Sequence, residues 1–421
     1  MQRADVAVIG GGPGGSSAAA FLANRGLSVA LFERETFPRF HVGESLMPAT
    51  MLLLQELGVR HEIDAHGFQL KYGAAFIDEE NGGAQTFYFL PGQAWPNYSY
   101  QVPRAEFDTI LLEHARKRGV TVHQPAAVES VAIDGDGVTV TARAEGDVVS
   151  VRAAMLVDAS GRDGFMASRY GERRRIPNLG KVALFTHFRG ARRDGGLAEG
   201  NIRIYAFKDG WCWWIPLAND LTSVGAVCHA RTVRDFDGPL EALYHSMLAR
   251  SRGVTENLKG AVQVMPAQSS ANFAYENSPV IGDRFIAVGD AIAFVDPIFS
   301  GGVYIALRTG QLAAEAIAGA FAAGDFRRRR FVGYERRVRR GLDPLFKFIH
   351  KYYEPSFFQL FMHPRDTLGI YVAVLNVLSG GNWIRMPWRV RVSLRLLFGI
   401  ARVTAWARRR QGLPVESRLE W

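Results

Sequence analysis

Three glycines mark the first place where this chain could do chemistry. Gly10, Gly12 and Gly15 form a G-x-G-x-x-G, with Pro13 and Gly14 inside it and Glu33 after the next apolar run. Gly10 suits a tight turn, Gly12 a close backbone approach to a pyrophosphate, and Gly15 the packing of helix on strand. The pyrophosphate would rest on the helix N-terminus, where free N–H groups and the dipole favour negative charge. Glu33 stands near the usual distance for accepting ribose hydroxyls. A Gly-rich turn with no ligand is the alternative reading. Other chemistries leave no trace. The histidines, among them His41, His187 and His229, show no metal-ligand spacing, so no metal is expected. No G-x-S-x-G nucleophile elbow is present. The two cysteines, Cys212 and Cys228, imply no disulfide framework and fit a reducing compartment.

The elements around the glycines agree with a dinucleotide fold. Val6–Ile9 reads as a buried parallel strand, Ser16–Ala23 as a small-residue helix closed by Gly26, and Ser28–Phe32 as a second strand. Helices are expected over Met51–Leu57, Arg104–Arg118 and about Val303–Ala323. Gly67–Phe76 reads as a turn entering a strand, and residues 77–101 as strands and loops. Val128–Ala142 reads as a hairpin about Asp134-Gly135-Asp136-Gly137. Ala153–Val157 and Phe285–Val288 read as buried strands. Lys181–Val264 is strand-like throughout and suits an antiparallel sheet. A strand and Gly289-Asp290 returning after a long excursion make the nucleotide-binding part discontinuous. The expected division is 1–76, 102–175 and 275–330 for that part, 77–101 and 176–274 for a second sheet, and 331–421 for a basic helical region.

At 421 residues, 48% apolar and 22% charged, the chain has an ordinary globular composition and is too long for one core. The fingerprint begins so early that no signal peptide is expected, and a cytoplasmic location is expected with it. The net charge of +9 is uneven, with eight arginines between Arg327 and Arg340 and a second cluster at Arg408–Arg410. Such patches attract carrier proteins, nucleic acid or anionic membrane, or else form a solvated face. Thr367–Ile384 is uncharged, but Ser379, Gly380, Gly381 and Asn382 interrupt it, so a buried helix of about a dozen residues and a turn is expected. Trp388–Arg410 is amphipathic and Arg-rich, suited to docking on a surface and not to spanning.

The glycine motif, Asp158-Ala159-Ser160-Gly161-Arg162 and Val288-Gly289-Asp290-Ala291, in that order, resemble the FAD-dependent monooxygenases. That resemblance implies that Asp290 binds flavin ribose or ribityl hydroxyls and that Arg104 lies near the cofactor. Three more stretches are similar to the flavin-dependent halogenases, the tryptophan-halogenase-like branch that serves natural-product pathways. They are the W-x-W-x-I-P of Trp211, Trp213, Ile215 and Pro216, the F-x-x-P-x-x-S-x-G of Phe294, Pro297, Ser300 and Gly302, and Lys71 ahead of Gly73-Ala74-Ala75. The resemblance covers nearly the whole chain and weakens after about residue 385.

The implied architecture is α/β: a discontinuous Rossmann-like FAD-binding domain, an antiparallel β-sheet substrate domain and a C-terminal helical region. The implied chemistry begins with reduced FAD, supplied by a separate reductase, reacting with O2 to give a C4a-hydroperoxide. Halide attacks it to give hypohalous acid, which a lysine, here Lys71, captures or orients toward an electron-rich carbon. A desolvated Lys71 with a lowered pKa would suit that role; a surface lysine at a strand start is the plain alternative. Trp211 and Trp213 would keep organic substrate from the flavin, and plain aromatic packing is their other reading. Ser300, Gly301 and Gly302, with Pro297 before them, would seat the halide on consecutive N–H groups at a turn entering a helix. Related halogenases often carry Ser-Ser-Gly or Thr-Ser-Gly there, so Gly301 departs from the pattern. The expected substrate is an aromatic or acyl group tethered to an acidic carrier protein, with no nucleic acid and no transmembrane segment. The second reading is a halogenase-like monooxygenase hydroxylating a bulky or peptide-bound aromatic group. An isoprenoid-type flavin reductase and a non-catalytic flavin scaffold are further alternatives.

Overall fold

The apolar run at Val6–Ile9 forms the inner half of strand Gln2–Ile9, where all four residues are buried. The computed structural model describes residues 1–413 except 177–179, 272–273, 365–366 and 384–385. Gln2–Ile9 pairs in parallel with Val29–Phe32 on one side and Asp147–Asp158 on the other. Thr121–His123 extends the sheet beyond Val29–Phe32, and Phe285–Ala287 beyond Asp147–Asp158. Parallel strands need crossovers and both faces covered, which is why they read as continuous apolar runs. Helix Pro13–Ala23 supplies one cover, packing on helices Arg104–Lys117 and Gly302–Ala323. Its Ala18–Leu22 run is wholly buried, small side chains letting the helices approach closely. The hairpin expected about residues 134–137 is present, joining Ala127–Ile133 to Val138–Ala144.

A second large sheet runs in the order Val262–Gln263, Lys181–Arg189, Leu221–His229, Gly210–Pro216, Ile202–Phe207, Gly73–Asp78, Ala84–Tyr88. Two expectations need correction here. The sheet is mixed, because Ile202–Phe207 lies parallel to Gly73–Asp78. These strands are far apart in sequence, so no hairpin turn imposes antiparallel pairing. Nor is Lys181–Val264 all strand: helices Leu240–Leu248 and Arg252–Asn257 interrupt it. Leu243, Tyr244, Met247 and Leu248 recur at helical spacing and bury against Leu184, Cys212, Trp214 and Val224 on one face of the sheet. Of residues 77–101, Ala84–Tyr88 joins this sheet, whereas Ser99–Gln101 pairs with Gln69–Lys71 in a separate ribbon. Together the sheets and their helices make a mixed α/β fold.

Beyond Ala323 the chain is helical: Val332–Tyr352, Pro355–Met362, Ile370–Leu378 and Trp388–Arg410. The helix within Thr367–Ile384 is shorter than expected, ending before Gly380; Ile384 lies outside the described residues. No helix among the described residues is long and apolar enough to cross a membrane. Phe348, Tyr352 and Phe361 interlock with Phe76 of the second sheet and with Phe299, just ahead of Ser300. The arginines between 327 and 340 are largely paired: Asp325 holds Arg327 and Arg329, Glu335 holds Arg328 and Arg339, and Glu315 holds Arg337.

Candidate active site

A cavity of about 840 Å³ is bounded by both sheets. Gly10, Gly12, Pro13, Gly14 and Glu33 line it, as do Arg104, Asp290, Pro297, Ser300, Gly301, Gly302, Trp211 and Trp213. Residues from six separate stretches of sequence thus face one space. Gly15 and Lys71, grouped with them on sequence, lie outside its lining. Gly15 is packed away for a steric reason: a Cβ there would stand 1.8 Å from the Gly10 carbonyl oxygen. Gly10 itself has φ +99°, and a Cβ on it would meet the Ala159 oxygen at 2.3 Å.

The glycine end has the donors a dinucleotide needs. Helix Pro13–Ala23 starts without a side-chain cap, leaving its first N–H groups for a ligand. The nearest atom to a Cβ at Gly12 would be the Arg39 guanidinium, at 3.4 Å, so nothing else crowds that turn. The Nη1 of Arg39 is buried and ion-paired with Asp108 at 3.3 Å but makes no well-aligned hydrogen bond there, which leaves donor capacity that a phosphate would take up. Glu33 accepts from the Gly11 N–H at 2.6 Å and the Glu35 N–H at 2.8 Å, which fixes its carboxylate in the cavity wall. These residues fit FAD. Arg104 has a different task from contact alone. It donates twice to Asp108, at 2.7 and 2.8 Å, and to the carbonyls of Val42 and Gly43, so it fastens the 41–45 loop to helix Arg104–Lys117. Burial pushes the Asp290 carboxyl up to about 6, with Arg104 and Arg162 pulling the other way.

The turn Asp296–Gly302 contributes Pro297, Ser300, Gly301 and Gly302 to the same cavity. Asp296 accepts from the Ile298 N–H, Pro297–Phe299 make one tight turn, and Ser300 reverses the chain at φ +57°. Helix Gly302–Ala323 then begins, again without a side-chain cap. The N–H groups of that first turn and the dipole behind them suit a small anion. Trp211 and Trp213, also on the cavity lining, point to one face of strand Gly210–Pro216, ring centroids 6.0 Å apart, while Cys212 and Trp214 point to the other. Each indole is fixed by its N–H: Trp211 to the Tyr353 hydroxyl at 3.0 Å, Trp213 to Ser223 at 3.1 Å.

Lys71 is buried next to this cavity. Its Nζ donates to the Ser45 hydroxyl at 2.9 Å and the Leu46 carbonyl at 3.0 Å, and Ser45 lines the cavity. Burial lowers its pKa from 10.5 to about 7. A neutral amine is therefore accessible near neutral pH, one side chain from the cavity.

Several residues here escaped sequence reasoning. Arg39, His41, Glu44 and Ser45 line the cavity from the loop after Glu33, where charged and polar residues in a Pro- and Gly-punctuated stretch were the available signal. Glu44 pairs with His187 at 3.0 Å, joining that loop to the second sheet. A second buried amine sits behind the Ser300 turn: Lys181 Nζ lies 3.2 Å from Asp296 and 3.0 Å from the Tyr353 ring centroid. Tyr353 donates to Asp296 at 2.9 Å. Trp211, Tyr353, Asp296 and Lys181 thus form one chain of contacts from the indole wall to the turn. No sequence signal could find it, since Lys181 and Asp296 are 115 residues apart.

Comparison with known proteins agrees with this geometry. A family model described as an FAD binding domain matches residues 3–318. The chain is 34% identical over 402 residues to a 1H-pyrrole-2-carbonyl-(peptidyl-carrier protein) chlorinase of Pseudomonas fluorescens, covering 89% of each chain. Its structure is similar to that of the flavin-dependent brominase Bmp2, with a TM-score of 0.85 at 30% identity over 96% of this chain and 100% of that one. A flavoprotein/dehydrogenase from Cytophaga hutchinsonii is also similar, with a TM-score of 0.88 at 28% identity over 96% and 100%.

Proposed function

We propose that this chain, which belongs to the FAD-binding-domain family and within it to the flavin-dependent halogenases, turns halide into hypohalous acid and delivers it to an electron-rich aromatic or acyl substrate. It is an FAD-dependent oxidoreductase. Its parallel-sheet part, drawn from 1–72, 102–175 and 275–330, is the flavin-binding domain, and the second sheet, which takes Gly73–Asp78, walls the substrate side. Reduced FAD, provided by a separate reductase, supplies together with O2 the two-electron oxidant for halide. Arg39, Glu33 and the N-terminus of helix Pro13–Ala23 hold the cofactor, and Asp290 receives its hydroxyls. Ser300, Gly301 and Gly302 seat the halide. Trp211 and Trp213 exclude organic substrate from that end, so oxidation falls on halide rather than carbon. Lys71 takes the hypohalous acid as a haloamine, the N–halogen bond forming as the O–halogen bond breaks and water leaves with an amine proton, or holds it by hydrogen bond. Its lowered pKa keeps the lone pair available that either role needs.

The observation that supports this reading is the shared cavity, whose lining includes the glycine fingerprint, the Ser300 turn and the two indoles, with a buried amine beside it. The carrier-tethered substrate of the Pseudomonas chlorinase, and the basic charge of this chain, support an acidic carrier protein as the substrate's bearer. The test uses purified protein with reduced FAD, O2, chloride or bromide and monochlorodimedone as trap. Halogenated trap that requires both protein and halide, and disappears in Lys71→Ala with FAD still bound, is the expected result. Oxygen consumed with no trapped halogen, and a hydroxylated aromatic in its place, would establish the monooxygenase reading instead.

A further inference from the structure

Helix Trp388–Arg410 breaks the usual division of a surface helix into an apolar inner face and a polar outer one. Its inner face is ordinary: Ser393, Leu394, Leu397 and Ala401 are buried against Pro355–Met362 and Ile370–Leu378, with Phe398 stacked on Phe357. Its outer face is apolar as well. Trp388, Val392, Leu396, Ile400, Val403 and Trp406 recur at three- and four-residue steps, so they form one stripe about 27 Å long. Trp388 is 64% exposed, Val403 67% and Trp406 54%. Seven arginines and no acidic residue lie within the helix. Arg391, Arg395 and Arg402, which border the stripe, are exposed and have no carboxylate partner among the described residues. That separates them from the arginines between 327 and 340, which are mostly paired. Guanidinium groups also stack on both end tryptophans, Arg389 on Trp388 and Arg410 on Trp406.

We infer that this face docks the protein onto an anionic lipid surface, with the apolar stripe entering the headgroup boundary and the arginines meeting phosphate groups. A helix that is rich in arginine beside an aliphatic face and lies in the plane of the membrane has this composition. Tryptophans at both ends suit the headgroup level, where an amphipathic ring has one apolar and one wet edge. A second copy of the chain is a poor occupant, because it would set two all-arginine borders against each other. An acidic protein would satisfy the arginines, but an apolar stripe about 27 Å long needs an equally long apolar partner, which the headgroup boundary supplies. The inference does not depend on the reaction proposed above.

The experiment is co-sedimentation of the full-length holoprotein with vesicles of phosphatidylcholine alone and with phosphatidylglycerol added. Binding to the anionic vesicles only, falling as salt is raised, is expected. Replacing Arg391, Arg395 and Arg402 together by Gln should weaken it about 100-fold, from roughly 1 kcal/mol per arginine near an anionic surface. Replacing Val392, Leu396 and Val403 together by Ser should also release the protein. All six positions are exposed, so FAD content should match the parent and report an intact fold. Equal binding to neutral vesicles, no binding to either, or binding unchanged by both triple variants would overturn the inference. So would a dimer, or a complex with an acidic carrier protein, that the Ser variant dissolves while vesicles are ignored.

Discussion

Replacing Lys71 by Met should make the protein more stable while ending halogenation. Burial lowers the Lys71 pKa from 10.5 to about 7, which at ~1.36 kcal/mol per decade is roughly 5 kcal/mol against folding with the amine charged. Methionine has a similar length and no charge to desolvate. It forfeits the hydrogen bond to Ser45 and one of two to the Leu46 carbonyl, which keeps the Ser99 hydroxyl at 2.6 Å. Allowing about 1 kcal/mol for each lost bond leaves a net gain of about 3 kcal/mol below pH 7. The pH dependence gives a second check. Between pH 7 and 10.5 the unfolded chain holds the Lys71 proton and the folded one does not, so parent stability rises with pH across that window. The advantage of the variant should therefore shrink above pH 7, reach zero about two pH units higher, and become a deficit of about 2 kcal/mol near pH 10.5. In a thermal melt of the holoenzyme, a chain of 421 residues responds by about 1 °C per kcal/mol, from ~2.1 cal/mol/K per residue. The expected change is a rise of about 3 °C at pH 6.5 and a fall of about 2 °C near pH 10.5, where only the two lost hydrogen bonds remain. A variant that melts lower than the parent at pH 6.5, or by an offset that does not change with pH, would refute the reasoning.

Lys181→Met should cost about 3–5 kcal/mol, because it leaves the Asp296 carboxylate buried without its cation, and Lys181→Met with Asp296→Leu should recover only part of that in the same melts, since the Tyr353 hydroxyl and the Ile298 N–H lose their acceptor. Gly15→Ala places a methyl 1.8 Å from the Gly10 oxygen, so the purified variant should lack bound flavin absorbance; FAD retained at parental stoichiometry would contradict the packing described here. Gly225→Ala would bring a methyl within 2.2 Å of the Trp213 ring and drive that indole toward the flavin cavity. A loss of about 1–3 kcal/mol is expected, together with weaker FAD binding by flavin fluorescence titration.

The nucleotide-binding end was legible because its constraints are local. Gly10 needs φ +99° and Gly15 needs a missing Cβ, and both requirements are written in residue type at fixed spacing. The alternation of Trp211 and Trp213 against Cys212 and Trp214 follows from the period of a strand, so the facing of the two indoles could also be read in advance. The mixed order of the second sheet could not, because Gly73–Asp78 finds Ile202–Phe207 across more than a hundred residues with no turn to set direction. Helix Leu240–Leu248 was missed because aromatic and β-branched residues on both sides of it masked a short helical period.

The sequence by itself determined where a dinucleotide phosphate can approach, which strand carries the indoles and which turn offers consecutive N–H groups. These are properties of a few adjacent residues and their backbone. Only the tertiary structure decided that those stretches share one cavity, and that Lys71 is buried against Ser45 and Leu46 rather than exposed at a strand start. It also decided that Lys181, Asp296, Tyr353 and Trp211 meet behind the Ser300 turn. Burial and charge pairing depend on what the rest of the chain brings within a few ångströms. A lysine's residue type cannot state its solvent, and here the solvent sets its pKa.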